Sequence, residues 1–439
     1  MIRDKIVPQL LSRIYQLPII PVIIKAKLGK LEEVFYEVEP YLLRVGLLTY
    51  FRLHQLHLFP TRMLRRFGML SAVLPREIVF DLAESPYVEK IYYDKMVTIL
   101  QYPTVGPEGV FEMRRGFGKK IRFTSTYWTK RLIGADEANK KGFTGRGIRV
   151  AILDTGAARY HPQLRGKVYH YSVMAYTMDD NGHGSWIAAC IGGDRSIDRV
   201  ASRQVGKDVV CEGMAPECEL YSIKCLGYVI GAGSTSGVLD AVEKAIDLGV
   251  DIISMSLGSK EEAEKPEDDP AKPVFEEALK NKIIAVVAAG NSGPNGETIA
   301  TPGALDEVLT VGAYDPIKGE IAEFSSRGPT PWGTTKPDCV APGVNIDSAS
   351  VMMCDMVGDN RPNMYGILSG TSMATPHVAG LVALMRQAHR ELLGKTLTVD
   401  EIKRMLRQLG HSKNNTDGWG VINWRMYEDW LSTEYSVEI

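Results

Sequence analysis

From residue 127 onwards, continuous apolar runs alternate with segments whose apolar residues recur at helical spacing. Runs such as GIRVAILD and IIAVVAAG are apolar at nearly every position, which is typical of strands buried on both faces of a sheet. Segments such as STSGVLDAVEKAIDLG place apolar residues three and four positions apart, as amphipathic helices do. The further strand candidates are ECELYSIKCL, DIISMSL and VLTVGAY, and the further helix candidates are PVFEEALKNK and the run after Ser372. The alternation predicts an α/β fold with a mostly parallel central sheet and helices on both faces.

Residues 17–94 carry a shorter pattern of their own. The strand candidates are LPIIPVIIKA, LLTYFRL, MLSAVLP and VEKIYYD, and the helix candidates are KLEEVFYEVEPYLLRV and PREIVFDLAESP. In chain order this is βαββαβ, which predicts a small ferredoxin-like α+β sandwich. We therefore divide the chain into an α+β domain at 1–94, a linker at 95–126, and a large α/β domain at 127–439. The linker is rich in Gly and Pro, has little periodicity, and carries the pairs Arg114-Arg115 and Lys119-Lys120, which we expect to be solvated.

Composition narrows the function classes. The chain is 45% hydrophobic and 24% charged, its formal net charge is -2, and no long run of one sign is present, so nothing indicates nucleic-acid binding. The longest early apolar run, residues 17–24, is well short of the roughly 20 residues that span a bilayer, and no membrane span is predicted. The first residues lack the continuous apolar core of a signal peptide, which favours the cytoplasm but leaves secretion open.

The six cysteines are too few for a disulfide scaffold in a chain of 439 residues. Cys211, Cys218 and Cys225 fall close together, but they include no CxxC pair. Structural zinc usually brings closely paired ligands, so buried thiols or a single disulfide account for these positions better than a zinc site does.

Three residues stand at strand ends or helix starts, where an open parallel sheet gathers its functional groups. Asp154 ends an apolar strand, His183 opens a helix between glycines, and Ser372 follows a glycine turn at the start of another helix. Each has an ordinary interpretation alone: a turn residue, a structural histidine and a helix cap. Together they supply the carboxylate, imidazole and hydroxyl that nucleophilic attack on an acyl carbon requires. The set predicts a Ser-His-Asp catalytic site.

A fourth residue fits the same chemistry. Asn291 ends the strand run in AVVAAGNSGP, where its amide N–H could serve as the side-chain donor of an oxyanion hole. The alternative at this position is a plain Asn-Ser-Gly turn.

The segments VAILDTG, NGHGS, AGNSGP and GTSMATPHVAG, with GMAP, SMSLG, SSRGP and APGV between them, resemble the subtilisin-like serine proteases. The resemblance covers residues 127–424 and implies that Asp154, His183 and Ser372 are the triad and Asn291 the oxyanion donor. Residues 17–94 are similar, mainly in SPYVEKIYYD, to the inhibitor-type propeptide of that family. This implies a zymogen whose first cut falls between Lys95 and Thr126. An ordinary N-terminal interaction module is the alternative.

The resemblance also implies where a substrate peptide binds, as an added strand between two segments of the protein. The residues that would hold it are Gly231, Ala232 and Gly233 on one side and Ser256, Leu257 and Gly258 on the other. The wall of the first subsite would be completed by Ala288, Ala289 and Gly290, with Ala300 near the floor. None is charged, which predicts apolar residues before the cut, while the nearby Glu297 keeps a weaker basic preference open.

No metal is required for this chemistry, and the sequence supports structural calcium poorly. Where the family commonly has HPDL, this chain has HPQL, so the neutral Gln163 replaces a carboxylate. The loop DRSIDRVASRQVGKDVVC is long and basic for a calcium loop, and EEAEKPEDD is expected to be a solvated surface loop. After the His-Gly pair, Ser185-Trp186 departs from the usual Thr-His and predicts different packing behind His183.

The leading hypothesis is a serine endopeptidase acting on protein or peptide substrates, with its own propeptide as intramolecular inhibitor. A catalytically silent relative that binds peptides in the same groove is one alternative, although every triad position is filled. An acyl-transfer enzyme such as a peptide cyclase or an esterase is another, and product analysis separates it from a hydrolase.

Overall fold

A computed structural model describes residues 5–14, 19–52, 61–94, 96–99, 111–114, 120–227, 230–260, 263–351 and 364–439. The helices are α1 Pro8–Ile14, α2 Leu31–Arg52, α3 Arg76–Glu84, α4 Thr126–Leu132, α5 Ala135–Lys140, α6 His183–Gly192, α7 Arg199–Val205, α8 Thr235–Asp247, α9 Lys272–Lys280, α10 Thr371–Leu393, α11 Val399–Leu409 and α12 Trp424–Tyr435. Single turns of 3-10 helix cover Arg65–Phe67 and Pro266–Asp268.

The strands up to the middle of the chain are β1 Ile19–Ala26, β2 Arg62–Leu64, β3 Met69–Pro75, β4 Val88–Tyr93, β5 Met96–Ile99, β6 Phe111–Arg114, β7 Lys120–Ser125, β8 Arg149–Asp154, β9 Val168–Ser172, β10 Ser196–Asp198, β11 Val209–Cys211 and β12 Glu219–Lys224. Those that follow are β13 Ala232–Ser234, β14 Ile252–Met255, β15 Leu257–Lys260, β16 Ile284–Ala288, β17 Ala300–Thr301, β18 Leu309–Asp315, β19 Glu320–Ile321, β20 Cys339–Pro342, β21 Ile346–Ala349 and β22 Tyr365–Leu368.

The N-terminal unit contains a four-stranded sheet in the order β2-β3-β1-β4, with every neighbouring pair antiparallel. This is the arrangement that a split βαβ repeat produces. One predicted element is wrong: residues 47–52 of LLTYFRL continue helix α2, and the second strand is Arg62–Leu64 instead. A short apolar run fits a strand and a buried helical turn equally well, and Gly46 does not end the helix.

The predicted linker is partly structured. Strand β5 pairs with β13 and β15, while β6 and β7 form a hairpin whose second strand runs parallel to β21. Each of these strands has only four to six residues, too few for a sequence periodicity to be recognised, and the partners of β5 are distant in the chain. Residues 95, 100–110 and 115–119 of the predicted linker lie outside the described part of the chain.

The central sheet has the strand order β19-β18-β16-β14-β8-β12-β9, with β20 beside β18. Its strands are parallel except for the edge strand β19. The fold is therefore α/β with a mostly parallel sheet, as predicted. Helices α6 and α10 pack against each other on one face, where Trp186 is fully buried, and α8 and α9 contribute to the core on the other. The carboxyl ends of β8, β12, β14 and β16 open onto a common edge.

The five cysteines in the described part of the chain are buried free thiols: Cys190, Cys211, Cys218, Cys225 and Cys339. The cluster of Cys211, Cys218 and Cys225 thus consists of separate thiols. Within the described part of the chain, no helix is both long enough and apolar enough to cross a membrane.

Candidate active site

The Asp154 carboxylate lies at the carboxyl end of β8 and is 1% exposed. Its Oδ1 atom accepts a hydrogen bond from the backbone N–H of Thr155 at 2.7 Å, and its backbone carbonyl accepts from the N–H groups of Cys225 and Leu226. The turn after β8 is thereby tied to the turn after β12, which fixes the position of the acid.

Helix α6 begins at His183, and side chains satisfy the free N–H groups of its first turn. The His183 N–H donates to Asn181 Oδ1, the Gly184 N–H to Thr155 Oγ1, and the Ser185 N–H to Asp179 Oδ2. Helix starts leave such donors unpaired, so these three acceptors hold the histidine at a defined point. They also lock α6 to the turn that carries Asp154.

The imidazole of His183 is buried and bonded on one side only. Its Nδ1 atom lies 2.8 Å from Asp154 Oδ1 and 3.0 Å from Oδ2. Its Nε2 atom has no hydrogen-bond partner in the described part of the chain. A carboxylate at Nδ1 holds the proton there, which leaves Nε2 with a lone pair that can accept one.

Ser372 lies in the first turn of α10 and is fully buried. Its Oγ atom donates to the backbone carbonyl of Ser256 at 3.1 Å, and the hydroxyl of Ser256 donates back to the carbonyl of Ser372 at 2.9 Å. The nucleophile candidate is therefore held against one of the two predicted substrate-binding segments.

The side chain of Asn291 is oriented by Thr371. Asn291 Oδ1 accepts from the Thr371 N–H at 2.8 Å and from Thr371 Oγ1 at 3.0 Å. Because the oxygen is engaged in this way, the amide nitrogen must face elsewhere, and Nδ2 is buried without a partner among the described residues. Its donor is thus available beside the start of α10, as an oxyanion-hole donor has to be.

The predicted substrate-binding segments flank a strand of the chain itself. Strand β5 lies between β13 and β15 and is antiparallel to both. In register, Thr98 is opposite Ala232 on one side and Gly258 on the other, and Ile99 is opposite Leu257. Added-strand binding of a peptide produces this geometry.

The wall proposed for the first subsite is uncharged. Ala288, Ala289 and Gly290 are buried at the end of β16, and the Ala300 N–H donates to the Ala289 carbonyl at 2.8 Å. Glu297 is exposed.

The N-terminal unit and the catalytic unit share one buried apolar cluster, and charged residues add ion pairs between them. Arg62 pairs with Asp240 and Arg66 with Asp247, both on α8, and Lys90 pairs with Asp268 at 2.6 Å. Asp268 belongs to EEAEKPEDD, so this predicted solvated loop serves as a docking surface.

Asp94 lies at the same interface and is 1% exposed. Its Oδ1 atom accepts a hydrogen bond from the Ser236 N–H at 3.0 Å, in the first turn of α8. Burial raises the pKa of Asp94 to about 7, against the opposing effect of this hydrogen bond.

Gln163 is fully buried, and neither its Oε1 nor its Nε2 atom has a partner among the described residues. The adjacent basic loop forms β10, α7 and β11, and its Asp198 is used as the N-cap of α7. In the described ranges, no three His, Cys, Asp or Glu side chains are grouped as a metal ion would need.

Ser185 and Trp186, the two departures from the usual motif, each have a defined contact. The Ser185 hydroxyl donates to Asp179 Oδ2 at 2.5 Å, and Trp186 Nε1 donates to the Gly366 carbonyl at 3.0 Å. Both stabilise the packing behind His183.

Comparison with known proteins agrees with this geometry. The model of the subtilase family matches residues 145–420. The chain belongs to the subtilase family.

Among curated subtilases, it is 38% identical over 307 residues to the serine protease AprX of Bacillus subtilis, an alignment covering 64% of each chain. It is 34% identical to the major intracellular serine protease of the same organism, over 62% of this chain and 78% of the relative. It is 33% identical to subtilisin DY of Bacillus licheniformis, over 66% of this chain and 94% of the relative. The alignment therefore spans just under two thirds of AprX.

Sequence reasoning missed several residues of this subtilase site. Thr371 orients Asn291, and Asp179 accepts bonds from the loop around His183. Asp94 and Lys224 were also missed. The sequence did carry a signal for two of them: Asp179 lies four residues before His183, and Thr371 directly precedes Ser372. For Lys224, the register of β12 against β8 was needed.

Proposed function

We propose that this subtilase is a serine endopeptidase that cleaves peptide bonds through Ser372, His183 and Asp154. The Asp154-bound imidazole with an unpartnered Nε2 carries the proposal. The Ser372 hydroxyl turns from Ser256 towards Nε2, gives up its proton and attacks the carbonyl carbon. Asn291 Nδ2 and the backbone N–H of Ser372 stabilise the oxyanion. His183 then protonates the leaving amine, and water hydrolyses the acyl-enzyme by the same route.

The position of β5 supports a second part of the proposal, an inhibited zymogen. Residues 96–99 occupy the place of a substrate strand between β13 and β15, directly after the N-terminal unit. Strand β5 ends at Ile99, and β6, which begins at Phe111, already belongs to a sheet with β7, β21 and β22 in the catalytic unit. We therefore narrow the predicted first cut from 95–126 to the segment 100–110, with Leu100-Gln101 as the expected bond. An apolar Leu100 suits the uncharged wall of the first subsite.

The full-length chain and Ser372→Ala test both parts. We expect the wild type to lose a fragment ending within residues 100–110 and then to hydrolyse casein, while Ser372→Ala stays intact and inactive. Ser348→Ala is a matched control, because within the described residues the hydroxyl of this buried serine makes a single long hydrogen bond, 3.4 Å, to the Trp186 carbonyl. A new N-terminus outside the segment would overturn the zymogen assignment, and an intact, inactive wild type would favour peptide binding without catalysis.

A further inference from the structure

Lys224 is a buried cation that the proposed reaction does not use. It is the last residue of β12, directly opposite Asp154 in the parallel register with β8, and its side chain is fully buried. Three lysines are buried in the described part of the chain: Lys130, Lys224 and Lys336. Among them, only Lys224 contacts the loops that carry the triad.

The ammonium group of Lys224 joins those two loops. Its Nζ atom donates to the Thr155 carbonyl at 2.7 Å and to Asp180 Oδ1 at 2.8 Å. Thr155 directly follows Asp154, and Asp180 lies three residues before His183. A single buried group therefore connects the loop of the acid to the loop of the base, in addition to the direct contact between Asp154 and His183.

Asp180 is held as an anion in this arrangement. Burial raises its pKa, but hydrogen bonds from Lys224 and from the Tyr176 hydroxyl outweigh that effect, and the net shift is downward. The Lys224 ammonium also lies 4.8 Å from the centroid of the Tyr176 ring. The cation thus has a carboxylate, a carbonyl and an aromatic face around it, which suits a buried charge.

We propose that Lys224 is a positioning residue for the triad: it fixes the loop of Asp154 relative to the loop of His183, and its pairing with Asp180 balances the negative charge of that carboxylate in the loop of the base. The inference rests on the proposed function. A misplacement of about 1 Å between reacting groups costs on the order of 100-fold in rate, so a contact that sets this spacing matters for kcat.

The pairing of Lys224 with Asp180 predicts opposite effects on the protonation of the imidazole when either charge is removed. Removing the cation in Lys224→Met leaves the Asp180 carboxylate beside the site, which favours the protonated imidazole. Removing the anion in Asp180→Asn leaves the cation, which disfavours it. The other ionisable groups facing this region are Asp154, Asp179, Tyr176, Cys225 and, from the N-terminal unit, Arg62, which the proposed processing removes.

The experiment compares pH profiles of kcat/KM for the processed wild type, Lys224→Met, Asp180→Asn and the double variant, with active enzyme counted by titration with a serine-directed sulfonyl fluoride. We expect the acidic limb to move up by about half a pH unit in Lys224→Met, down by a similar amount in Asp180→Asn, and back towards the wild type in the double variant. We also expect kcat of Lys224→Met to fall at least about 10-fold with little change in KM.

Lys336→Met is the control for a merely structural effect. Lys336 is equally buried and lies 2.8 Å from Asp338 Oδ2. We expect it to lower stability without moving the acidic limb. The proposal is overturned if Lys224→Met keeps the wild-type kcat and limb, or if both lysine variants lose activity with unmoved limbs. If Lys224→Met does not fold, the test is the acidic limb of kcat/KM in Asp180→Asn. A shift to lower pH supports the proposal, and an unmoved limb overturns it. An inactive wild type would instead refute the proposed function itself.

Discussion

At the scale of single residues, the site depends on which atom of each side chain is left available. Thr371 holds the side chain of Asn291, because its N–H and hydroxyl donate to Asn291 Oδ1, and its hydroxyl also accepts from the N–H of the neighbouring Gly290 at 3.2 Å. The orientation of the Asn291 amide is thereby set before a substrate arrives. Such preorganised donors stabilise the developing oxyanion without a reorganisation cost.

Asn291→Ala should lower kcat by about 100- to 1000-fold with little effect on KM, a magnitude known from subtilisin itself. Thr371→Val, which keeps the N–H bond and removes only the hydroxyl, should lose about 10-fold. Steady-state kinetics on a peptide amide substrate measure both. Equal losses, or a loss in KM alone, would argue against an oxyanion role for Asn291.

The sequence predicted Asp154, His183, Ser372 and Asn291 because each stands at a strand end or a helix start within a recognisable motif. It did not predict Lys224, whose position in an apolar strand run suggests nothing about chemistry. Its role depends on β12 lying beside β8 in a given register, which no local pattern encodes. Residues that act through a neighbouring strand are hidden for this physical reason.

At the scale of elements, helix α6 approaches the turn after β8 so closely that a side chain has no room. A Cβ atom on Gly184 would lie 2.1 Å from the Gly156 carbonyl oxygen. By contrast, a Cβ on Gly237, also in the first turn of a helix, would meet nothing closer than Ser234 Oγ at 3.2 Å. The start of α6 is placed by backbone contact.

Gly184→Ala should therefore destabilise the protein by about 3 kcal/mol and reduce kcat, since the helix that carries His183 has to move. Gly237→Ala should change stability by less than about 1 kcal/mol. Urea unfolding of the Ser372→Ala background gives both values without self-digestion. Similar stabilities for the two variants would contradict the close approach.

Element prediction succeeded where burial on both faces imposes a continuous apolar run, as in β8, β14 and β16. It failed at residues 47–52, where a strand-like run continues helix α2, and in the predicted linker, where β5, β6 and β7 form. In these segments the hydrogen-bond partner, not the local sequence, decides the structure. The docking strand β5 is an example, since both its neighbours come more than a hundred residues later in the chain.

At the scale of the whole molecule, the N-terminal unit and the catalytic unit meet through carboxyl groups that docking removes from water. Burial raises the pKa of Asp94 to about 7, and it also raises the pKa values of Asp240 and Glu243 despite the nearby Arg62 and Arg66. A carboxyl whose pKa is higher in the docked state takes up a proton on docking. All three groups therefore favour the complex at low pH.

The cleaved N-terminal unit should consequently be retained at pH 5 and released as the pH rises. The contribution of Asp94 is complete below its ordinary pKa of about 4 and disappears as the pH passes about 7, so affinity should fall by up to tenfold per pH unit between these limits and then level off. Dissociation of the processed complex, blocked with a serine reagent, can be followed by size-exclusion chromatography from pH 5 to 8. Asp94→Asn keeps the acceptor oxygen without a titrating proton, so its complex should show a much flatter pH dependence. Tighter retention at pH 8 than at pH 5 would show that other charges at the interface, such as the Lys90–Asp268 pair, control release instead.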